Sequence, residues 1–380
     1  MSTFVARLNA ELKGDRAIWA IFAVLSIFSI LAVYSSTGTL AFKEYGGNTE
    51  FPLFKHVIIL MVGMLLTYLA HLTHYMKYNR WSPYLLLIAI PLLFFTIAFA
   101  PDLNDARRWI QIPYVGLSFQ TSDFAKLALI IYVARAISSK QEYIKDFNSA
   151  FLPIIVPVLI VCGLIAPANL STAILLFGTC ILMMFIGRVS VKYILLLLLL
   201  GMCVFSMLIL LHEAFPEIIR FETWVSRWRE FMDASSDGGY QSQQAKIAIA
   251  NGGWFGEGPG NSIQRNFLPS SYSDFIYAII CEEYGVLGGS VIIILYVLLF
   301  FRTARLVTKS SRAFGAMLAM GLSLSLVIQA FLNIAVSVNL VPVTGLTLPM
   351  ISMGGTSLLF TCISFGIILS ISKFFESETE

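Results

Sequence analysis

Long apolar runs separated by short polar connections dominate the chain. A helix rises 1.5 Å per residue, so about 20 apolar residues cross a hydrocarbon core. Runs of this kind lie at 17–36, 54–72, 82–100, 122–138, 151–167, 170–187, 191–211, 275–300, 314–333 and 352–371. The pattern predicts an all-α polytopic membrane protein: ten transmembrane helices in a single integral membrane domain over 1–380, with one large external loop, about 212–274, between helices 7 and 8.

Composition and charge fix class and orientation. The 380 residues are 58% hydrophobic and 12% charged, against roughly 25% charged in a soluble protein. Lys and Arg in short loops resist translocation. With a cytoplasmic N-terminus that side collects fifteen of them, from Arg7 to Lys373, against Lys43, Lys55, Arg107 and Arg108 in the outer short loops. Both termini are therefore expected in the cytoplasm of a multi-pass protein of the cytoplasmic (inner) membrane. The first run can span and follows the basic "ARLNAELKGDR", which predicts an uncleaved anchor. The five cysteines fall in apolar runs without metal-ligand spacing and read as packing residues. The net charge of +3 reflects the cytoplasmic bias and gives no reason to expect nucleic acid.

The long loop holds Trp224, Trp228, Trp254 and the glycine-rich "NGGWFGEGPGNS", so it is expected to be ordered and laid against the membrane. Glycines permit tight turns or close backbone approach. A phosphate loop would need a preceding strand and a following helix, which the pattern does not supply.

Carboxylates and cations then concentrate near the outer boundary. Asp274 opens the eighth run, while Glu282 and Glu283 lie inside it, where hydrocarbon penalises charge. At 100° per residue a straight helix cannot aim all three at one cavity. Asp274 reads either as a helix N-cap or as a group that works on a substrate outside. The two glutamates read as an internal network tying helices together. Lys55, Arg107, Arg108 and Lys126 occupy the same level. Each alone reads as a headgroup anchor; together they suit an anion such as a lipid diphosphate.

The stretches "ARRWI", "FQTSDFAKL", "RWREFMD", "GGYQSQQAKIAIANGGWFGEGPGNSIQRNFLP", "SDFIYAIICEEYG" and "PVTGLTLPMISMGGTSLL" follow one another in the order and spacing of a known family. The chain resembles the shape, elongation, division and sporulation (SEDS) family of peptidoglycan glycosyltransferases along nearly its whole length. The resemblance implies polymerisation of lipid II into β-1,4 glycan, with Asp274, in "SDFIY", as the essential aspartate. It also implies that Lys55, Arg107, Arg108 and Lys126 bind the diphosphate, possible help from a divalent cation (Mg or Mn), and a class B penicillin-binding transpeptidase as partner, beside other division or elongation proteins. Within the family the first run and the compact length look more like the division branch than the elongation branch.

Three departures from the family pattern stand out: Ser270 and Tyr272 replace Glu and His before the aspartate, the acid in "QTSD" is Asp123, and Asn169 stands where Asp is common, near Lys126 by that pattern. The alternatives are a lipid II flippase and a recruiting scaffold. A transporter should place ionisable groups at the midplane and show internal repeats, and neither is seen. No histidine sits in a catalytic constellation, which argues against an acyltransferase. A partner helix is expected to dock where Gly285, Gly288 and Gly289 strip side chains from the eighth run.

Overall fold

The computed structural model describes residues 13–38, 40, 46, 50–99, 109–112, 117–214, 227, 231–232, 239–269, 271–308 and 312–377. Helices occupy the apolar runs: α1 Arg16–Ser36, α2 Glu50–Leu72, α3 Met76–Phe99, α4 Thr121–Ser139, α5 Leu152–Ile165, α6 Leu170–Ile186 and α7 Val191–Ala214. They continue with α8 Gly239–Gly252, α9 Ile276–Thr308, α10 Ala313–Ser337 and α11 Thr356–Ser377. α8 lies inside the long loop, where the hydropathy pattern gives no helix.

Among the described residues seven helical stretches are long and apolar enough to cross a membrane: α1, α2, α3, Phe147–Ile165, α9, α10 and α11. α6 and the apolar part of α7 are shorter. α4 carries Asp123, Lys126 and Arg135 within its 19 residues, so it depends on neighbouring helices rather than lipid to cover it.

α10 is the central element, with an unbroken buried stretch from Phe314 to Val327. It packs against α4, α6, α9 and α11. Outer faces are apolar and exposed, as at Phe54, Leu87 and Phe94, which suits contact with hydrocarbon. Close approach is needed where α2 meets α11, since a Cβ on Gly366 would strike the Thr67 backbone; small residues let helices pack in lipid. At one end of the bundle Asp15 caps α1, accepting from Ala17 N at 2.8 Å, and takes a bidentate pair from Arg302 of α9.

Two irregular pieces complete the frame. Strands β1 Trp109–Ile112 and β2 Leu117–Gln120 form an antiparallel hairpin with Trp109 opposite Gln120. The Thr356 hydroxyl fastens it to α11, accepting from Gln120 N and donating to Ser118 O. Between α10 and α11, residues 342–348 run without regular structure, yet Leu346, Leu348, Met350 and Ile351 are buried. Non-helical backbone at that depth must have its polar groups met by protein. Tyr296 Oη donates to Pro349 O, Ser29 Oγ to Ile351 O, Gln329 Nε2 to Thr347 O and Asn333 Nδ2 to Leu346 O. Side chains of α1, α9 and α10 thus replace a backbone ladder.

Candidate active site

Asp274 sits in the turn 271–275, partly exposed. Helical bonding starts at Phe275, whose carbonyl takes Ala278 N at 3.0 Å and Ile279 N at 3.4 Å, so Asp274 stands one residue ahead of the helix. The turn is clamped onto the irregular segment: Met353 N donates to Tyr272 O at 3.0 Å and Ser352 Oγ to Ser273 O at 2.7 Å. Asn333 of α10 donates to the Asp274 carbonyl at 2.7 Å. The Asp274 carboxylate accepts from Ser273 Oγ at 2.8 Å. A Cβ on Gly345 would lie 3.7 Å from its other oxygen. The backbone of Asp274 is fixed from three sides while its side chain remains partly open to solvent. A proton acceptor needs that combination of fixed position and access.

Lys126 lies one turn into α4 and is largely buried. Its Nζ donates to Gln329 Oε1 at 2.9 Å and pairs with Asp123 at 3.5 Å. Gln329 passes the connection to Thr347 O, and Asn333, one turn further along α10, ties Leu346 O to Asp274 O. Lys126 and Asp274, far apart in sequence, are joined through α10 and the residues 346–347. Neither Gln329 nor Asn333 was expected from the sequence. Their signal is polarity at i and i+4 in an otherwise apolar helix, a pattern that merits a functional reading in a membrane protein.

Lys55 is half-buried in the first turns of α2, next to His56, whose Nε2 lies 2.9 Å from Ser29 Oγ. Arg107 and Arg108 lie outside the described residues, as do Trp224 and Trp228. The residue that follows Arg108, Trp109, pairs with Gln120, which immediately precedes α4.

Glu282 and Glu283 are both buried, and both hold the loop. Glu282 accepts from Ser262 Oγ, Ile263 N at 3.2 Å and Gln264 N at 3.3 Å. Glu283 accepts from Ser35 Oγ of α1 and from the backbone N–H groups of Gly260 and Ser262, and Arg265 reaches Ser35 O at 3.1 Å. The carboxylates thus replace the water that backbone N–H groups of residues 262–264 would otherwise need. The Gln264 N–H lies 3.3 Å from both Glu282 oxygens, so an amide there turns its own N–H toward that backbone N–H whichever way it is placed. Glu282→Gln is expected to lower stability by about 2 kcal/mol, read from thermal midpoints in detergent; an unchanged midpoint would contradict this reading.

Gly285 of α9 is used internally, which takes it out of the expected docking groove. A Cβ on Gly285 would meet the backbone of Trp254 and Phe255, and one on Gly289 would meet Cys281 and Tyr277. One on Gly288 would meet Tyr284. The strap at 252–258 fills the notch at Gly285, whereas the neighbours of Gly288 and Gly289 belong to α9 itself.

The model of the FtsW/RodA/SpoVE family, described as cell cycle protein, matches residues 15–377. The chain belongs to that family. A probable peptidoglycan glycosyltransferase FtsW of Bacillus subtilis is 33% identical over 93% of this chain and 90% of its own length. The stage V sporulation protein E of the same organism is 31% identical over 95% and 96%. A probable peptidoglycan glycosyltransferase FtsW of Geobacter sp. is 30% identical over 94% and 96%. The fold matches a solved structure on structural coordination of polymerization and crosslinking by a peptidoglycan synthase complex, with TM-score 0.74 and 23% identity over 95% of this chain and 98% of that one. It also matches the Thermus thermophilus rod shape determining protein RodA, with TM-score 0.67 and 21% identity over 94% and 96%.

Against the family pattern one expectation needs correction. Asn169 does not partner Lys126: its Oδ1 accepts from Thr172 N at 3.2 Å and caps α6, while Lys126 turns to Asp123 and Gln329. A side-chain amide is as good a cap as a carboxylate, so the Asp-to-Asn change leaves the helix start intact. Ser270 lies outside the described residues, and Tyr272 contributes its carbonyl to the clamp on the turn.

Proposed function

We infer that this chain is a peptidoglycan glycosyltransferase of the division (FtsW) type that polymerises lipid II on the outer face of the cytoplasmic membrane. The observation that carries this is kinship of 30–33% over more than nine tenths of the chain with proteins named as such enzymes. The topology that fits is ten transmembrane helices with both termini in the cytoplasm and the long loop outside, with α4 enclosed by its neighbours. Lipid II brings a sugar hydroxyl, an anomeric carbon and a lipid diphosphate. Asp274 takes the proton from the acceptor hydroxyl as its oxygen bonds to the donor's anomeric carbon. The bond from that carbon to the diphosphate oxygen breaks, and undecaprenyl diphosphate leaves from the opposite side, which inverts the centre and gives the β-1,4 link. Lys55, Arg107, Arg108 and Lys126 offset the charge that grows on the leaving group.

Among the described residues no three His, Cys, Asp or Glu side chains are placed to hold a metal ion together. These residues do not fit a protein-held divalent cation, and no step is assigned to one. Cross-linking of the product falls to a class B penicillin-binding transpeptidase with a single membrane helix, whose external stalk would bear on the loop that Glu282 and Glu283 hold.

Each charge-assisted contact to the diphosphate is worth about 1.5–3 kcal/mol. Lys55→Ala and Arg108→Ala should therefore each weaken lipid II binding by about 10- to 100-fold with little change in thermal midpoint. A lowered midpoint with normal binding would make the residue a headgroup anchor. Proteoliposomes holding labelled lipid II separate an enzyme from a transporter. The enzyme converts the label into glycan, whereas movement between leaflets without glycan would overturn the assignment.

A further inference from the structure

Gln329 and Asn333 face the same way one turn apart on α10, and both are buried, at 5% and 1% exposure. Their amide orientations are fixed by what they meet. Gln329 must present Oε1 to the Lys126 ammonium, which only donates, and Nε2 to the Thr347 carbonyl, which only accepts. Asn333 must turn Nδ2 toward two carbonyls, those of Asp274 and Leu346, each at 2.7 Å. The two amides therefore grip consecutive residues of the irregular segment with one hand each. With the other, Gln329 holds Lys126 and Asn333 holds the backbone of Asp274.

We propose that Gln329 and Asn333 are positioning residues that set the distance between the Lys126 cation and the Asp274 carboxylate from one rigid helix face. The inference rests on the reading of Asp274 as base and Lys126 as diphosphate ligand. α10 is the reference because its side chains are buried along nearly its whole length, and two points one turn apart on it are separated by about 5.4 Å.

Among the described residues Lys126 directs N–H groups at Gln329 and Asp123. An ammonium has three, which leaves one to meet a substrate oxygen. Asn333 spends both amide hydrogens on carbonyls, and its Oδ1 is buried with no partner among the described residues. A side chain kept only for packing would do better without that orphan oxygen. The donors are what the position requires.

The test uses the full-length protein with its transpeptidase partner, lipid II as substrate, and rates measured across lipid II concentration. A misplacement of about 1 Å costs on the order of 100-fold in rate. Asn333→Ala should lower kcat by about 30- to 100-fold with KM within about twofold of wild type. Asn333→Asp should be no better, because an ionised carboxylate cannot donate to two carbonyls. Gln329→Met should raise KM about tenfold with a smaller effect on kcat, and Gln329→Glu, which keeps an acceptor for Lys126 but cannot donate to Thr347 O, should give a KM between the two. If Asn333→Ala does not accumulate, Asn333→Ser retains one donor and should give an intermediate kcat.

A purely structural role would lower the thermal midpoint and the active fraction at both positions while leaving KM, and kcat per folded molecule, at the wild-type values. That result, or wild-type kinetics in Asn333→Ala, would overturn the proposal. Asp274→Asn in the same series separates the two levels of inference. Activity in that variant removes the base itself. Its inactivity beside wild-type kinetics at 329 and 333 removes only the positioning role.

Discussion

Asp274→Asn is expected to cut glycan synthesis by about three orders of magnitude, within the range that a positioned general base supplies, while the thermal midpoint stays at the wild-type value. The substitution preserves side-chain shape. The amide oxygen can still accept from Ser273 Oγ, and the Asn333 bond goes to the backbone carbonyl, which the change does not touch. The change removes the negative charge and with it the capacity to take a proton. Product length on gels reads the activity, and a thermal melt of the same sample reads the fold. A stable Asp274→Asn protein with retained turnover would take the base role away from this residue.

The largest loss of stability is expected at Gly285, where α9 is broken. Its backbone has φ 65° and ψ −171°, a region essentially confined to glycine. The break removes the helical bonds between Glu282 and Val286 and between Glu283 and Leu287, and the strap supplies replacements. Glu257 N donates to Glu282 O at 2.9 Å and Gly258 N to Glu283 O at 3.0 Å. In return Val286 N donates to Gly253 O at 2.9 Å and Leu287 N to Trp254 O at 3.4 Å.

A Cβ at 285 would strike the Trp254 and Phe255 backbone, so Gly285→Ala combines backbone strain with loss of these bonds. A cost of about 5–7 kcal/mol follows from strain of about 1–3 kcal/mol plus about 1 kcal/mol for each of the four bonds lost. Thermal midpoint and protease cleavage within 253–258 measure it. An alanine variant as stable and protected as wild type would mean that the strap does not depend on the break.

The legible parts of this chain were those whose causes are local. Apolar runs specify helices through side chains a few residues apart, so α1–α3 and α9–α11 could be placed from hydropathy. Asp274 and Lys126 stood out because charge is costly in such runs. The strap, the hairpin and the buried segment before α11 were not legible, since their backbone groups are met by residues remote in sequence. Ser352 meets Ser273, Thr356 meets Ser118, and Ser29 meets Ile351. The same holds for Glu282 and Glu283: their burial was visible, but their partners at 262–264 and Ser35 were not. Gly285, Gly288 and Gly289 read as a surface for another helix because small residues mark close approach without saying what approaches.

Lipid II polymerisation by the purified protein together with the proposed transpeptidase partner is the most direct measurement of the assigned activity. Labelled lipid II should become a ladder of glycan strands that an enzyme specific for β-1,4 links digests to disaccharide units, with no ladder from Asp274→Asn. Recovery of lipid II unchanged by a folded, partner-bound wild-type protein would contradict it.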